Sequence, residues 1–224
     1  DWSGGFQEIK WKDNATFKNG QAIDVQGSYG EISLQNKFTS AAVISAGTHS
    51  YGTHAVHGST FLFGTIKSGA ARLYSLNTSN ALSVVSAMTG ISAVNTMDRF
   101  GADTIVGMTR TSGATLYTLS KYNGSTLIGV SNSNQIVRAV KSVGIRAYIS
   151  NYIAALSGDR LDYGTIISAL TTSAHAAGKG RTIPKILELN GSPYFFVQEE
   201  KKVELMRYDE YSERAYPIYQ WNDL

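Results

Sequence analysis

The sequence predicts an all-β fold, a small β-propeller of four to five blades built from repeats of about 44 residues. Three observations carry this expectation. A strand–turn–strand phrase recurs at near-constant spacing, Ser-Gly pairs mark its turns, and the composition is poor in helix formers. Only 17% of the 224 residues are charged, and 22 glycines with many Ser, Thr and Asn stand where a helical bundle needs Glu, Lys and Leu.

Residues 1–20 read as a leader or closing segment. The stretch 21–50, with Ile23-Asp24-Val25 and Glu31-Ile32-Ser33-Leu34, reads as a degenerate first repeat. The repeat over 51–90 has an inner strand at 54–57, then Phe61-Leu62-Phe63-Gly64. The turn Ser68-Gly69, the strand Arg72-Leu73-Tyr74-Ser75-Leu76 and an outer strand at 82–86 complete it. The next, over 91–134, restates it as Ile105-Val106-Gly107, Ser112-Gly113, Thr115-Leu116-Tyr117-Thr118-Leu119 and an outer strand at 126–130. The Gly64–Gly107 and Leu73–Leu116 steps are both 43 residues.

The repeat over 135–180 carries strands at 137–140 and 146–153, the turn Ser157-Gly158 and Arg160-Leu161-Asp162-Tyr163. The last, over 181–224, has strands at 183–189 and 193–198, a charged turn, a strand at 203–208 and an outer strand at 215–221. Period-two alternation puts Leu73 and Ser75 on one face and Tyr74 and Leu76 on the other. Both faces are part-apolar, as in a blade covered on two sides. Gly64, Gly69, Gly107, Gly113 and Gly158 read as structural turn positions. The stretch 163–179 has helix-like apolar spacing but many threonines, and is expected as a strand followed by a loop or short helical turn. A stacked β-solenoid or a two-sheet sandwich are the competing architectures.

The chemistry expected is mostly of exclusion. No cysteine is present, so disulfides, thiolate zinc sites and a thiol nucleophile are out. No run of 18 apolar residues spans a membrane. The net charge of +3 is dispersed, which argues against nucleic acid as a specific ligand. His49, His54 and His57 lie close in sequence, but His54 and His57 point to opposite sides of a strand, so no metal site and no cofactor are expected. No Gly-x-Ser-x-Gly, Ser-x-x-Lys or Walker loop appears, and no catalytic residues are assigned. The chain is read as a non-enzyme. A propeller glycoside hydrolase, with Asp24, Asp98, Asp103 or Asp162 converging, is the last-ranked alternative.

The positive signal is aromatic. Tyr208, Tyr211, Tyr216, Tyr219 and Trp221 gather near the C-terminal end. They either fill the wedge between the last and first blades or form a contact surface for a partner subunit or a sugar. A lectin propeller should repeat its polar contacts in every copy. Here Leu, Tyr and Gly recur instead, which ranks carbohydrate binding second. The chain starts at Asp1 without Met or a signal-peptide pattern, as expected for a processed product or a piece of a longer protein.

The opening Asp1-Trp2-Ser3-Gly4-Gly5-Phe6, the phrase Asn19-Gly20-Gln21-Ala22-Ile23-Asp24-Val25 and Gly27-Ser28-Tyr29-Gly30 with Leu34 resemble the start of propeller-containing virion structural proteins of tailed bacteriophages. Phe61-Leu62-Phe63-Gly64 with Leu73-Tyr74, and Pro193-Tyr194-Phe195-Phe196 with Glu204-Leu205-Met206-Arg207-Tyr208, are similar to phrases of their tail and nozzle components. The resemblance implies a structural subunit of an extracellular virus particle. Its partners would be other virion subunits in a homo-oligomeric ring, with a host-surface glycan as a further partner and no catalytic residues.

Overall fold

The computed structural model describes residues 23–26, 31–34, 49–88, 90–111, 117–130, 136–170 and 172–222. The chain divides into two compact units, Asp1–Val43 and Ile44–Leu224. In the first, β1 (Ile23–Gln26) and β2 (Glu31–Leu34) pair as an antiparallel hairpin. The rest of the expected first repeat and the 1–20 leader lie outside the described residues, apart from 49–50, which belong to the second unit.

The second unit is all-β among the described residues, with four four-stranded antiparallel sheets in chain order. Sheet I comprises β3 (His49–His57), β4 (Thr60–Lys67), β5 (Ala70–Leu76) and β6 (Leu82–Met88). Sheet II holds β7 (Ile91–Phe100), β8 (Asp103–Arg110), β9 (Leu119–Tyr122) and β10 (Leu127–Val130). Sheet III holds β11 (Val137–Val143), β12 (Arg146–Ile153), β13 (Gly158–Gly164) and β14 (Thr172–Ala176). Sheet IV holds β15 (Ile186–Leu189), β16 (Ser192–Glu199), β17 (Lys202–Asp209) and β18 (Arg214–Asn222). Short 3₁₀ turns at Ala154–Leu156 and Ile167–Ala169 are the helical content of the described residues, and no helix there is long and apolar enough to cross a membrane.

Each sheet is a meander because its turns are short. Between β4 and β5, Ser68 and Gly69 both take positive φ, 52° and 77°, the pair of signs that matches a two-residue hairpin to the twist of its strands. The sheets then stack through apolar faces. Leu62, Leu73 and Met88 of sheet I pack on Val94, Met97 and Met108 of sheet II. Ile105 and Leu119 pack on Val140 and Ile149 of sheet III. Tyr148, Leu161 and Tyr163 pack on Phe195, Val197 and Tyr208 of sheet IV. Accordingly β8 and β12 are buried at five successive residues, on both faces, whereas β16 alternates.

Polar side chains join the sheets where ladder groups would otherwise be orphaned. Strand β11 is an edge strand, and β7 serves it: Asn95 Nδ2 donates to the Val137 carbonyl (2.7 Å) and Asp98 accepts from the Ser142 N–H (2.6 Å). Asp159, fully buried, accepts from Arg138 Nε (3.1 Å) and the Ile183 N–H (2.8 Å), pinning the lead-in to sheet IV against sheet III.

Three expectations need correction. Gly64 and Gly107 are not turn residues but sit inside β4 and β8. A Cβ on Gly64 would lie 2.6 Å from Val94 Cβ, and one on Gly107 would lie 2.6 Å from both Thr96 Cγ2 and Val137 Cγ1, so glycine there permits close sheet approach. Gly158 opens β13. The left-handed residue before it is Ser157, and a Cβ on Gly158 would meet the Gly178 carbonyl oxygen at 1.9 Å. Finally, the strand paired with β8 is Leu119–Tyr122, not 115–119. Gly107 faces Leu119, where Gly64 faces Leu73. Gly113 lies outside the described residues. The stretch 163–179 continues β13 to Gly164, makes one 3₁₀ turn and returns as β14.

Candidate functional site

The C-terminal aromatic group divides in two. Tyr208 is 1% exposed and belongs to the core between sheets III and IV, its ring 6.0 Å from Tyr148 and 5.7 Å from Tyr163. Its partner Tyr148 donates to Glu210, and Arg146 lies over the Tyr163 ring at 4.8 Å. Burial pushes both the Tyr148 and Tyr208 hydroxyls well above the usual tyrosine range, with Glu210 adding to the effect at Tyr148 and Tyr163 at Tyr208. These rings stay neutral. Tyr208 is therefore a wedge residue and no contact residue.

Tyr211, Tyr216, Tyr219 and Trp221 are exposed by 98, 43, 57 and 37%. Tyr211 sits in the β17–β18 turn, which Asp209 holds by accepting from the Tyr211 N–H (3.1 Å) and Ser212 Oγ (2.8 Å). The other three lie on β18, the last strand of sheet IV. Pairing of Met206 with Pro217 and of Leu205 with Tyr219 leaves Ile218 without a partner, a bulge. The bulge returns Tyr219 and Trp221 to the face of Tyr216, where strict alternation would have opposed Tyr216 to Tyr219. Trp221 lies 4.6 Å from Tyr219 and 6.3 Å from Phe196, ring to ring.

That face is the one turned away from sheet III. Register places Phe196 beside Leu205, Leu205 beside Tyr219, and Val203 beside Trp221, while Phe195, Val197 and Met206 point into the core. Phe196, Val203 and Leu205 are only part-buried. Sequence reasoning treated them as ordinary strand residues. The available signal was Tyr194-Phe195-Phe196-Val197, apolar on both faces in a repeat with no later sheet to cover it.

Two concavities accompany this surface. One, of about 420 Å³, is lined by the first strands of all four sheets, including Thr53, His54, Asp98, Lys141, Lys185 and Glu188. Within it Lys141 pairs with Asp98 at 3.4 Å. The other, of about 480 Å³, lies where Ile128 and Val130 of sheet II meet Ile166 and Ile167 after β13. His54 and His57 diverge: His54 packs on Phe61 (5.4 Å), whereas His57 reaches sheet II, its Nδ1 3.0 Å from Thr104 Oγ1. Burial, with Arg99 nearby, lowers the His57 pKa.

The carboxylates considered for hydrolysis are dispersed. Asp98 pairs with Lys141, and Asp103 with Lys121 at 3.3 Å. Asp162 is held by Arg160 and Asn151, although burial still raises its pKa. Asp24 lies on β1 in the other unit.

No protein-family model matches the chain, and no curated protein matches it. Among solved structures it is similar to an auxiliary nutrient binding protein from Bacteroides thetaiotaomicron. The TM-score is 0.54 at 12% identity, over 76% of this chain and 42% of that one. That likeness is one of fold. The major Malassezia sympodialis allergen Mala s 1 gives a TM-score of 0.49 at 8% identity, over 86% of this chain and 69% of that one. The Pyrococcus horikoshii acylaminoacyl peptidase gives 0.49 at 10%, over 84% and 28%. The chain thus spans about two fifths of the nutrient binding protein and under a third of the peptidase.

Proposed function

We propose that the four sheets are blades of a β-propeller and that the chain serves as a rigid protein-contact platform in a multi-subunit assembly. It binds through the outer face of sheet IV and catalyses no reaction. The observation that supports this most is β18, where every residue but Ala215 is exposed and Tyr216, Tyr219 and Trp221 share one face. Large rigid rings on a surface free of charge clusters suit protein contact, because they bury much area at small entropic cost. The assembly suggested by the family resemblance is a tailed-phage virion, with the chain in its tail or nozzle. Negative-stain electron microscopy of native material tests this. The chain should be found in rings or particles, and free monomers alone would contradict the reading.

Carbohydrate binding has one observation in its favour, the exposed Tyr219–Trp221 pair, whose flat apolar rings offer a stacking surface. A glycan array distinguishes the two: saturable binding lost in Trp221→Ala favours the sugar, and none favours the platform.

A further inference from the structure

Sheets I and IV have the sequence character of sheets covered on both faces, yet each has one face covered by a neighbouring sheet. In the stack, the trailing face of each sheet meets the leading face of the next: I on II, II on III, III on IV. What remains is the leading face of sheet I and the trailing face of sheet IV. The first carries Val56 (59% exposed), Phe61 (38%), Phe63 and Val84 (54%), brought to one side by the pairs Val56–Phe61, Phe63–Tyr74 and Tyr74–Val84. The second carries Phe196, Val203, Leu205, Tyr216, Tyr219 and Trp221.

We propose that these two faces are each other's partners in successive copies of this chain: sheet IV of one copy packs on sheet I of a second, continuing the stack head to tail. This rests on the contact-platform reading and names the partner. Three arguments favour a second copy. The new contact repeats the apolar sheet-on-sheet packing of the three internal ones. With aromatic side chains worth about 150–250 Å² each, Tyr216, Tyr219 and Trp221 alone leave about 300 Å² open, within the roughly 300–600 Å² range of apolar patches that are often functional. Phe196, Val203, Leu205 and the strand rims add toward the roughly 800 Å² per partner of a standard interface. In addition, Arg72 pairs with Thr65 across sheet I, on the side of Phe63 and Tyr74, and its Nε is buried without a hydrogen-bond partner, a donor awaiting an acceptor. Because the two surfaces differ, the contact is heterologous and leads to a ring or a filament rather than a two-fold dimer.

The test is light scattering coupled to size exclusion on the purified chain, on Trp221→Asp and on Val84→Asp, with circular dichroism to verify folding. Both positions are exposed, and Tyr219→Lys substitutes if Trp221→Asp does not fold. Wild type should run as a multiple of 24.2 kDa, and each variant alone as the monomer. An equimolar mixture of the two variants should recover a dimer, since each retains the face the other has lost. A monomeric wild type at every concentration, variants that associate as wild type does, or a mixture that stays monomeric would overturn the proposal. If the pure chain is monomeric while native material sits in rings or particles, the platform reading stands and the second-copy partner fails.

Discussion

Replacing Gly64 with Ala tests the packing of sheet I on sheet II. The added methyl would stand 2.6 Å from Val94 Cβ, 3.0 Å from its Cγ1 and 3.1 Å from its Cγ2, where carbon contacts prefer about 3.5–4.0 Å. Val94 is 2% exposed and held within the core. Retreat of the sheets is opposed by β3, whose Gly52 is so close that a Cβ there would meet the Val94 carbonyl oxygen at 2.7 Å. Overpacking of this kind costs about 1–3 kcal/mol. For a domain of this size that corresponds to a melting-temperature loss of roughly 2–12 °C. Val94→Ala alone should destabilise by about 1–2 kcal/mol through its cavity. In the double variant the methyl occupies that cavity, so the two costs should fall short of their sum by about 1 kcal/mol or more. Urea and thermal unfolding of all four proteins measure this. Wild-type stability in Gly64→Ala, or simple additivity in the double variant, would refute the close approach.

Other expectations concern the polar joints and turns. Asp159→Ala leaves Arg138 and the Ile183 N–H without their acceptor and should cost about 2–4 kcal/mol, with the strand at 182–189 losing amide protection first in hydrogen exchange. Protection unchanged there would show that the lead-in to sheet IV is held by something else. Gly69→Val meets no atom within 4 Å but must adopt a φ near 77°, so it should cost about 1–2 kcal/mol through backbone strain alone, and Gly69→Asn clearly less. Equal melting of both variants would contradict the turn geometry. His175 packs on Phe195 at 5.4 Å, and burial followed by Arg181 lowers its pKa below 6.5. A base with a depressed folded pKa costs nothing above pH 6.5, and stability is lost as pH falls from there toward the folded value. The slope is at most about 1.4 kcal/mol per pH unit. His175→Asn should flatten that part of the curve, and an unchanged slope would show that other groups cause it.

Much of the fold was legible because it is local. Two-residue turns such as Ser68-Gly69 are written in adjacent residues, and the 43-residue step from Gly64 to Gly107 marks equivalent strands β4 and β8. What the step could not reveal is which partner a residue meets. Gly64 and Gly107 look like punctuation in sequence, but their reason is Val94, Thr96 and Val137 on the next strands. Leu116 and Tyr117 copy Leu73 and Tyr74, yet β8 pairs three residues further on, with Leu119 at Gly107. In the aromatic group, Tyr208 and Tyr216 are indistinguishable by composition. Only the register of β17 turns one into the core and leaves the other outside.

Hydroxyl-radical footprinting of native material, before and after dissociation, tests the contact surface most directly. Tyr216, Tyr219 and Trp221 should be protected in the intact assembly and readily oxidised in the dissociated chain, while buried Tyr148 and Tyr208 stay unmodified in both. Equal oxidation of the three β18 rings in both states would mean that the outer face of sheet IV meets no partner.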